Sequence, residues 1–217
     1  LNMIVKNESH VIKATLENLW SYIHFSYYVI CDTGSTDNTL EIIKNFFDSK
    51  NVRGELYIDE WKDFAHNRSL ALKKAYRKTK YLLVFDADDA ICENFKLPPV
   101  LDKDAYYFRF DNNLLYKRIL LVDNHLEWVF IGVLHEYIFC INKPNIFIED
   151  LVGDYYIKSG KTGDRSKDPD KYIKDARILE KAFYEAEQKN DPIKVRYSFY
   201  TAQSYRDHGD DDMAITW

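Results

Sequence analysis

Cysteine and long apolar runs are scarce in this sequence of 217 residues, and each scarcity excludes a class of protein. The three cysteines, Cys31, Cys92 and Cys140, lie far apart and form no Cys-x-x-Cys pair. They offer neither a zinc site nor a disulfide framework, which favours a reducing compartment and hence a cytoplasmic location. No apolar run approaches the roughly 20 residues that span a bilayer, and no signal peptide is visible.

Glycine is also scarce, and its seven copies do not form the usual phosphate-binding loops. No Gly-Lys-Ser/Thr follows the Asp-Thr-Gly segment at residues 32–34, which excludes a P-loop there, and Gly-x-Gly-x-x-Gly is missing from the sequence. The net charge of −5 argues against nucleic acid as the main partner, although it leaves room for one nucleotide held by a metal. Aromatic residues, in contrast, are abundant, and they serve either as core or as stacking surfaces for sugars or bases.

The N-terminal part of the chain alternates short apolar runs with helical patterns. We predict strands over residues 3–5, 27–31, 56–58 and 81–85, and helices over 11–22, from about 40, and over 63–78. Continuous apolar strands separated by helices are typical of a parallel sheet covered on both faces. This part is therefore predicted to be a doubly wound α/β domain.

The second half of the chain has a different pattern. Runs at 106–110 and 118–122 indicate strands of a mixed extension, and the polar stretch 158–168 indicates a loop. Two helices are predicted after this loop, followed by a break at Gly209, which fits an α-hairpin. The chain begins with a strand and stops inside a helical pattern, so we expect it to be a trimmed piece of a longer protein.

Three polar segments directly follow predicted strands. They are residues 6–8 (Lys-Asn-Glu), residues 32–37 (Asp-Thr-Gly-Ser-Thr-Asp) and residues 86–89 (Asp-Ala-Asp-Asp). Ligands of an open parallel sheet bind beyond the carboxyl ends of its strands. We therefore expect the three segments to lie together at one edge of the sheet.

The spacing of Asp86 and Asp88 suits a divalent cation. Residues i and i+2 of an extended segment point the same way, about 7 Å apart, and a turn of the backbone can bring both carboxylates to one ion. Mg²⁺ or Mn²⁺ would keep open positions for substrate phosphates and neutralise a diphosphate leaving group. The alternative is a solvated acidic turn; the apolar strand before it favours the functional interpretation.

Other candidate residues have both a structural and a functional interpretation. Asp32 either belongs to a plain turn or accepts a hydrogen bond from a nucleotide base, and Gly34 would let the backbone approach a ligand closely. Arg68 is either a surface arginine or a clamp for phosphate. His135 and Glu136 end a predicted apolar strand, and such a pair is more often structural than catalytic.

Four blocks of the sequence together resemble family 2 glycosyltransferases of the GT-A fold. The blocks are residues 3–8, 32–37, 61–68 and 86–89, and their order and spacing match the family. The C-terminal tail resembles the branch in which tetratricopeptide-like helices follow the catalytic domain. The resemblance implies a GT-A catalytic domain over residues 1–160, with a mostly parallel sheet, and a short helical extension over 161–217, which we expect to be truncated.

On the donor side, the resemblance implies a nucleoside diphosphate sugar, with a UDP-sugar favoured. Asp32 would contact the base, with Gly34 beside it. Lys6 and Glu8 would line the nucleotide pocket, and Arg68 would lie near the diphosphate. Asp86 and Asp88 would form the Asp-x-Asp pair that binds Mn²⁺ or Mg²⁺, with Asp88 as the more direct ligand.

On the acceptor side, the resemblance implies inverting transfer of a hexose to a hydroxyl group. Glu136 would be the base that deprotonates the acceptor, and His135 would lie beside the acceptor or the metal. The family often carries a further metal-binding histidine before the helical tail, where this sequence has Lys158. Lys158 would instead contact the donor diphosphate, and residues 163–166 would form part of a lid.

Two other functions stay open from the sequence. A nucleotidyltransferase acting on a sugar phosphate has a similar sheet, but it needs a Gly-rich loop with a basic residue after the first strand, which is missing here. A catalytically inactive nucleotide-sugar-binding module is disfavoured because Asp32, Arg68, Asp86 and Asp88 are all present. The sugar, the acceptor (a saccharide, lipid or protein) and the oligomeric state do not follow from the sequence.

Overall fold

The computed structural model describes residues 1–110, 116–160 and 168–217. The predicted lid over 163–166 lies outside the described residues.

The N-terminal part forms the predicted α/β layer, with parallel strands β1, β2 and β3 joined by helices. A bridge between Asn2 and Val84 continues this sheet on the free side of β1, next to β4. The prediction of a parallel sheet with flanking helices is thereby confirmed. The elements are β1 (Asn2–Val5), α1 (Ile12–Tyr22), β2 (Tyr27–Asp32), α2 (Thr39–Ser49), β3 (Arg53–Ile58), α3 (Phe64–Ala75) and β4 (Tyr81–Leu83).

Helix α2 shows how the apolar pattern holds the layers together. Ile43, Phe46 and Phe47 are buried along one helical face. The ring of Phe47 stacks on Tyr28 of β2, with the centroids 4.0 Å apart. Gly54 of β3 leaves room for this ring, because a Cβ at Gly54 would lie 2.2 Å from it. Burial of one such side chain contributes about 1.5–3 kcal/mol, so α2 firmly supports the strand that ends at Asp32.

The second sheet is mixed, as predicted, and has the order β4-β7-β6-β11-β5, with β10 also paired to β6. A separate hairpin is formed by β8 and β9. The antiparallel pairing of β11 with β5 brings Lys158 opposite Ala90 and so carries the end of β11 to the acidic segment. The bounds are β5 (Ala90–Glu93), β6 (Ala105–Phe110), β7 (Tyr116–Asp123), β8 (Trp128–Ile131), β9 (Tyr137–Cys140), β10 (Ile148–Asp150) and β11 (Tyr155–Lys158).

The predicted strand ending at Glu136 is wrong. Residues 132–136 form a bend that connects β8 to β9. Gly132 has a φ of 108° and His135 a φ of 52°, so the backbone leaves the extended region at both positions. The apolar residues of this segment are buried against helices instead of within a sheet, which explains why their pattern resembled a strand.

The C-terminal part is helical, with α4 (Lys171–Gln188), α5 (Lys194–His208) and α6 (Asp211–Thr216). Gly209 ends α5 in the left-handed conformation, with a φ of 92°, as its place in the sequence predicted. Leu179 and Tyr197 bury Leu134 of the 132–136 bend in a common apolar cluster. In the described parts of the chain, no helix combines the length and apolarity needed to cross a membrane.

Candidate active site

Hydrogen bonds interlock the first two polar segments. The N–H of Asn7 donates to Ser35 Oγ at 2.9 Å, and the N–H of Thr36 donates to Asn7 Oδ1 at 2.8 Å. The carboxyl ends of β1 and β2 therefore form one connected wall, as expected for neighbouring parallel strands.

Asp37 strengthens this wall. Its carboxylate accepts hydrogen bonds from the N–H of Ser9 at 3.1 Å and from the N–H of Thr39 at 3.0 Å. The hydroxyl of Thr39 donates to Asp37 and accepts from the N–H of Glu8 at 2.8 Å. Burial acts in the opposite direction, but the hydrogen bonds from Ser9 and Thr39 hold the pKa of Asp37 well below its usual range.

Asp32 has one carboxylate oxygen bound and the other buried without a partner. Its Oδ1 accepts hydrogen bonds from the N–H groups of Gly34 and Ser35, both at 2.8 Å. Its Oδ2 is buried and has no hydrogen-bond partner among the described residues. An unsatisfied buried acceptor costs about 1–3 kcal/mol, so a ligand with an N–H donor would gain by binding there.

Lys6 and Glu8 lie in the β1–α1 loop of the same wall. Lys6 is exposed and Glu8 is half-buried. The carbonyl of Glu8 accepts hydrogen bonds from the N–H groups of Val11 and Ile12, at 3.0 and 2.8 Å, which starts α1. Their contact with a nucleotide stays a prediction.

The third polar segment forms a turn shortly after β4 and touches elements on both sides. The carbonyl of Ala87 accepts a hydrogen bond from the hydroxyl of Thr15 in α1 at 2.7 Å. The N–H of Gly160, after β11, donates to Asp89 Oδ1 at 2.9 Å. A Cβ at Gly160 would lie 2.1 Å from the carbonyl oxygen of Asp88, so only glycine permits this approach. The turn is thereby attached to both the first sheet and the second.

Arg68 lies at the centre of the site and is buried, with 7% of its surface exposed. Its Nη2 lies 2.5 Å from Asp86 Oδ1, and its Nε lies 2.7 Å from Glu136 Oε1. Arg118 approaches the other oxygen of Asp86, with Nη1 3.4 Å from Oδ2. One buried guanidinium therefore holds two carboxylates that come from distant parts of the chain.

The charges of this cluster shift each other's protonation. Burial favours the neutral form of Asp86, but Arg68 and Arg118 outweigh it and lower the pKa of Asp86 to about 2. Burial opposes the charge of Arg68 as well, yet Asp86 and Glu136 raise the pKa of its guanidinium. Burial and the charge of Asp86 raise the pKa of Asp89 to about 7. Arg68 and Asp86 are thus a permanent charge pair.

The bend after β8 directs the neighbouring side chains of His135 and Glu136 to different places. The side chain of Glu136 is 9% exposed and faces Arg68. His135 is exposed, and its ring stacks on Tyr200 of α5 with the centroids 4.0 Å apart and the planes 8° apart. The structure therefore brings Glu136 to the charged cluster and places the ring of His135 on helix α5.

Lys158 ends β11 and is exposed. Two residues later, Gly160 contacts Asp88 and Asp89. The strand that the family resemblance placed at the metal thus reaches the acidic turn. A contact of Lys158 with a diphosphate stays a prediction.

A cleft of about 860 Å³ opens beside the charged cluster. Arg68, Asp86 and Glu136 line one part of it, and α4 and α5 line another. Both apolar rings and polar side chains reach its surface, a mixture suited to sugars, which present CH faces and hydroxyl groups. The aromatic residues of its lining include Tyr116, Phe130, Tyr137, Tyr172, Phe199 and Tyr200.

The described residues contain no group of three or more His, Cys, Asp or Glu side chains arranged to hold a metal ion. Both carboxylate oxygens of Asp86 contact arginines, whereas Asp88 is partly exposed in the turn. Mg²⁺ in nucleotide sites is usually held by one or two carboxylates together with substrate phosphates, and carboxylates also suit Mn²⁺. A site that consists of Asp88 and a nucleotide fits this mode of binding.

Two arginines near the site were not predicted from the sequence. Arg118 precedes the apolar run of β7, and a charged residue at the edge of such a run is the only local signal that could have indicated it. Arg196 of α5 donates to the carbonyl of His135. Its local pattern is that of an ordinary helix surface, so no local signal indicates its role.

Comparison with solved structures shows the GT-A fold. Staphylococcus aureus TarS in complex with UDP-GlcNAc matches with a TM-score of 0.52 at 15% identity, over 93% of this chain and 70% of that chain. TarS in complex with UDP matches with a TM-score of 0.50 at 16% identity, over 95% of this chain and 70% of that chain. Likeness at this identity concerns the fold alone.

A mannosyltransferase from Pyrobaculum calidifontis, solved with GDP-Man and Mn²⁺, matches at 22% identity with a TM-score of 0.36. The match covers 41% of this chain and 26% of that chain, so this chain spans about a quarter of that protein. We base no argument on so partial a likeness. No curated protein matches the sequence.

The fold is that of GT-A glycosyltransferases. More particularly, residues 2–106 match the family model described as glycosyl transferase family 2. This segment is just under half of the chain, and its match agrees with the sequence resemblance. The matched segment contains Asp32, Arg68, Asp86 and Asp88, whereas Arg118 and Glu136 lie beyond it.

Proposed function

We propose that the chain is an inverting, metal-assisted hexosyltransferase that moves a sugar from a UDP-sugar to an acceptor hydroxyl. The observation that supports this proposal most strongly is the position of the Arg68 guanidinium, between Asp86 and Glu136 at the carboxyl edge of the sheet. Such a transfer needs positive charge near the leaving diphosphate and a carboxylate that takes up the proton of the acceptor hydroxyl. Arg68 and Glu136 supply these two groups in direct contact with each other.

Asp32 supports the binding of a nucleotide base. Its buried Oδ2 needs an N–H donor, and the N3–H of uracil is such a donor. Guanine also offers an N–H at the corresponding edge of its ring, whereas cytosine and adenine present acceptors there. TarS, which shares the fold, is solved with UDP and with UDP-GlcNAc, and this favours uridine. Lys6 and Glu8 would border the nucleotide from the neighbouring loop.

Asp88 is our proposed protein ligand for Mn²⁺ or Mg²⁺, and Asp86 orients Arg68. A bound divalent cation neutralises charge on the leaving diphosphate. Asp86 has both oxygens directed at Arg68 and Arg118, so its task is to hold these guanidiniums in place. Lys158, exposed at the end of β11, adds a further cation for the diphosphate.

Glu136 is our proposed general base, which accepts the proton of the attacking hydroxyl. It lines the cleft, and Arg68 fixes the direction of its carboxylate. A general base contributes about 10²–10⁴ in rate. The acceptor would lie in the cleft, where aromatic rings such as Tyr137 and Tyr200 can stack on a saccharide, with His135 beside it.

Calorimetry with a panel of donors tests this proposal. We expect UDP-sugars to bind in the presence of Mn²⁺, and GDP-sugars to bind less tightly. Asp88→Asn should remove the dependence on metal, while the exposed Asp211→Asn, in α6, should leave it intact. Transfer or slow hydrolysis of the bound donor, followed by mass spectrometry, would show the reaction.

Two results would contradict the proposal. Absence of donor binding to the wild-type protein with any nucleotide sugar and metal would remove its basis. Release of pyrophosphate from a nucleoside triphosphate and a sugar phosphate would instead show a nucleotidyltransferase.

A further inference from the structure

We propose that helix α5 positions the catalytic carboxylate, with Arg196 and Tyr200 as positioning residues for Glu136. This inference rests on the proposed function, because it takes Glu136 as the base. It goes beyond that function in making the helical tail a working part of the active site, although the tail lies outside the segment matched by the family model.

The 132–136 bend needs support from outside. His135 has a φ of 52°, a conformation that a residue with a side chain adopts at a cost in free energy. Such a conformation persists only where surrounding contacts hold it. Left alone, the bend would relax toward the extended conformation that its apolar sequence favours, and Glu136 would move with it.

Arg196 supplies the most direct support. Its Nε and Nη2 both donate to the carbonyl oxygen of His135, at 3.0 and 2.6 Å. This carbonyl belongs to the same planar peptide unit as the N–H of Glu136. Fixing the oxygen therefore fixes the orientation of the backbone from which the Glu136 side chain extends.

Tyr200 holds the same residue from its side chain. Its ring stacks on the ring of His135, 4.0 Å away and nearly parallel. The guanidinium of Arg196 lies over Tyr200, 4.9 Å from the ring centroid, and over Tyr137, 5.3 Å from its centroid. Arg196 and Tyr200 are four residues apart, so they project from one face of α5 and act together.

The rest of the bend also packs against the C-terminal helices. The N–H of Val133 donates to the hydroxyl of Tyr197 at 3.3 Å. Leu134 is buried in the cluster that includes Leu179 and Tyr197. Glu136 itself contacts Arg68 of α3. The bend is thus held by the tail up to His135, and only its last residue faces the charged cluster.

Arg196→Gln, Arg196→Lys, Tyr200→Leu and Tyr200→Phe test this arrangement, with Arg206→Gln as the matched control. Arg206→Gln changes an exposed arginine of the same helix, whose guanidinium pairs with the neighbouring Asp207. Tyr200→Phe keeps the stacking ring. A misplacement of about 1 Å can cost about 10²-fold in rate, so we expect Arg196→Gln to lower kcat by about that factor. Arg196→Lys should fall between it and the wild type, Tyr200→Phe should lose less than Tyr200→Leu, and Arg206→Gln should match the wild type.

Four further measurements separate positioning from general stability. The Kd for UDP with Mn²⁺ and the KM for the donor should not change in Arg196→Gln, and the melting temperature should shift no more than in Arg206→Gln. Amide hydrogen exchange at residues 133–136 should become faster in Arg196→Gln and Tyr200→Leu. Hydrogen exchange needs no turnover, so it tests the contacts of Arg196 and Tyr200 with His135 even if the proposed reaction is wrong.

An unchanged kcat together with unchanged exchange in Arg196→Gln would overturn the inference and leave the proposed function standing. A loss of kcat that is matched by an equal loss of donor affinity would also overturn it, because the defect would then not be confined to Glu136. Failure of the wild type to use any donor would count against the proposed function alone.

Discussion

Arg68 of α3 and Asp86 after β4 form an ion pair with Nη2 and Oδ1 2.5 Å apart, and their side chains are 9% and 26% exposed. The pair attaches a helix to the edge of the sheet at the point where ligands of such sheets bind. Because Arg68 also contacts Glu136, the same guanidinium links Asp86 to the proposed base. We therefore expect changes at Arg68 to affect both stability and activity.

Arg68→Met should lower the free energy of unfolding by about 3 kcal/mol, because it leaves Asp86 and Glu136 buried close together without their shared cation. Urea denaturation measures this change. Arg68→Lys should restore part of the stability, since an ammonium cannot reach both carboxylates in the same way. In the double variant Arg68→Met with Asp86→Asn, the loss should be smaller than the sum of the single losses. Additive losses would show that the pair is not coupled.

Glu136→Gln should lower kcat by about 10²–10⁴-fold, because the amide cannot accept the proton of the acceptor. The donor Kd should stay the same, since we propose that Glu136 serves the acceptor and not the donor. Steady-state kinetics and calorimetry measure the two quantities. Glu149→Gln, an exposed glutamate of β10, is the control and should behave as the wild type. A loss of donor affinity equal to the loss of rate would assign Glu136 to the donor instead.

Asp32→Asn should weaken the binding of UDP about tenfold or more, because a hydrogen bond to a charged acceptor contributes about 1.5–3 kcal/mol. The side-chain amide can also present N–H groups to the base, where an acceptor is needed. Titration calorimetry with UDP and Mn²⁺ measures the effect. An unchanged Kd would show that Oδ2 of Asp32 does not meet the base.

Asp37 should make the stability of the protein depend on pH in the acid range. Hydrogen bonds from Ser9 and Thr39 hold its folded pKa below the unfolded value of about 3.9. Its contribution is therefore present above about pH 4 and is lost as the pH falls below that value. Thermal unfolding at a series of pH values should show a steeper acid loss in the wild type than in Asp37→Asn. Parallel curves would contradict the assignment.

Gly160→Ala should distort the acidic turn, because the added Cβ would lie 2.1 Å from the carbonyl oxygen of Asp88 and 2.5 Å from its carboxyl carbon. Overpacking of this kind typically costs about 1–3 kcal/mol. Metal-dependent donor binding should fall more than stability does, since the displaced residue is the proposed metal ligand. Donor binding equal to that of the wild type would separate Asp88 from the metal.

The sequence predicted the first half of the fold because that half depends on local patterns. Apolar runs such as those of β2 and α2 have the period of their own element, and their burial follows from it. The same logic placed Asp32 and Asp86 at strand ends. The predicted strand up to Glu136 was wrong because an apolar run has the same appearance whether a sheet or a pair of helices buries it.

What the amino-acid order by itself determined is the set of chemical groups at the sheet edge, since parallel strands bring their carboxyl ends together whatever follows them. The tertiary structure alone decided which groups meet: Arg68 with Glu136, Arg118 with Asp86, and Arg196 with the carbonyl of His135. These contacts join residues from separate elements, and charge pairing at such distances in the chain leaves no periodic pattern to detect.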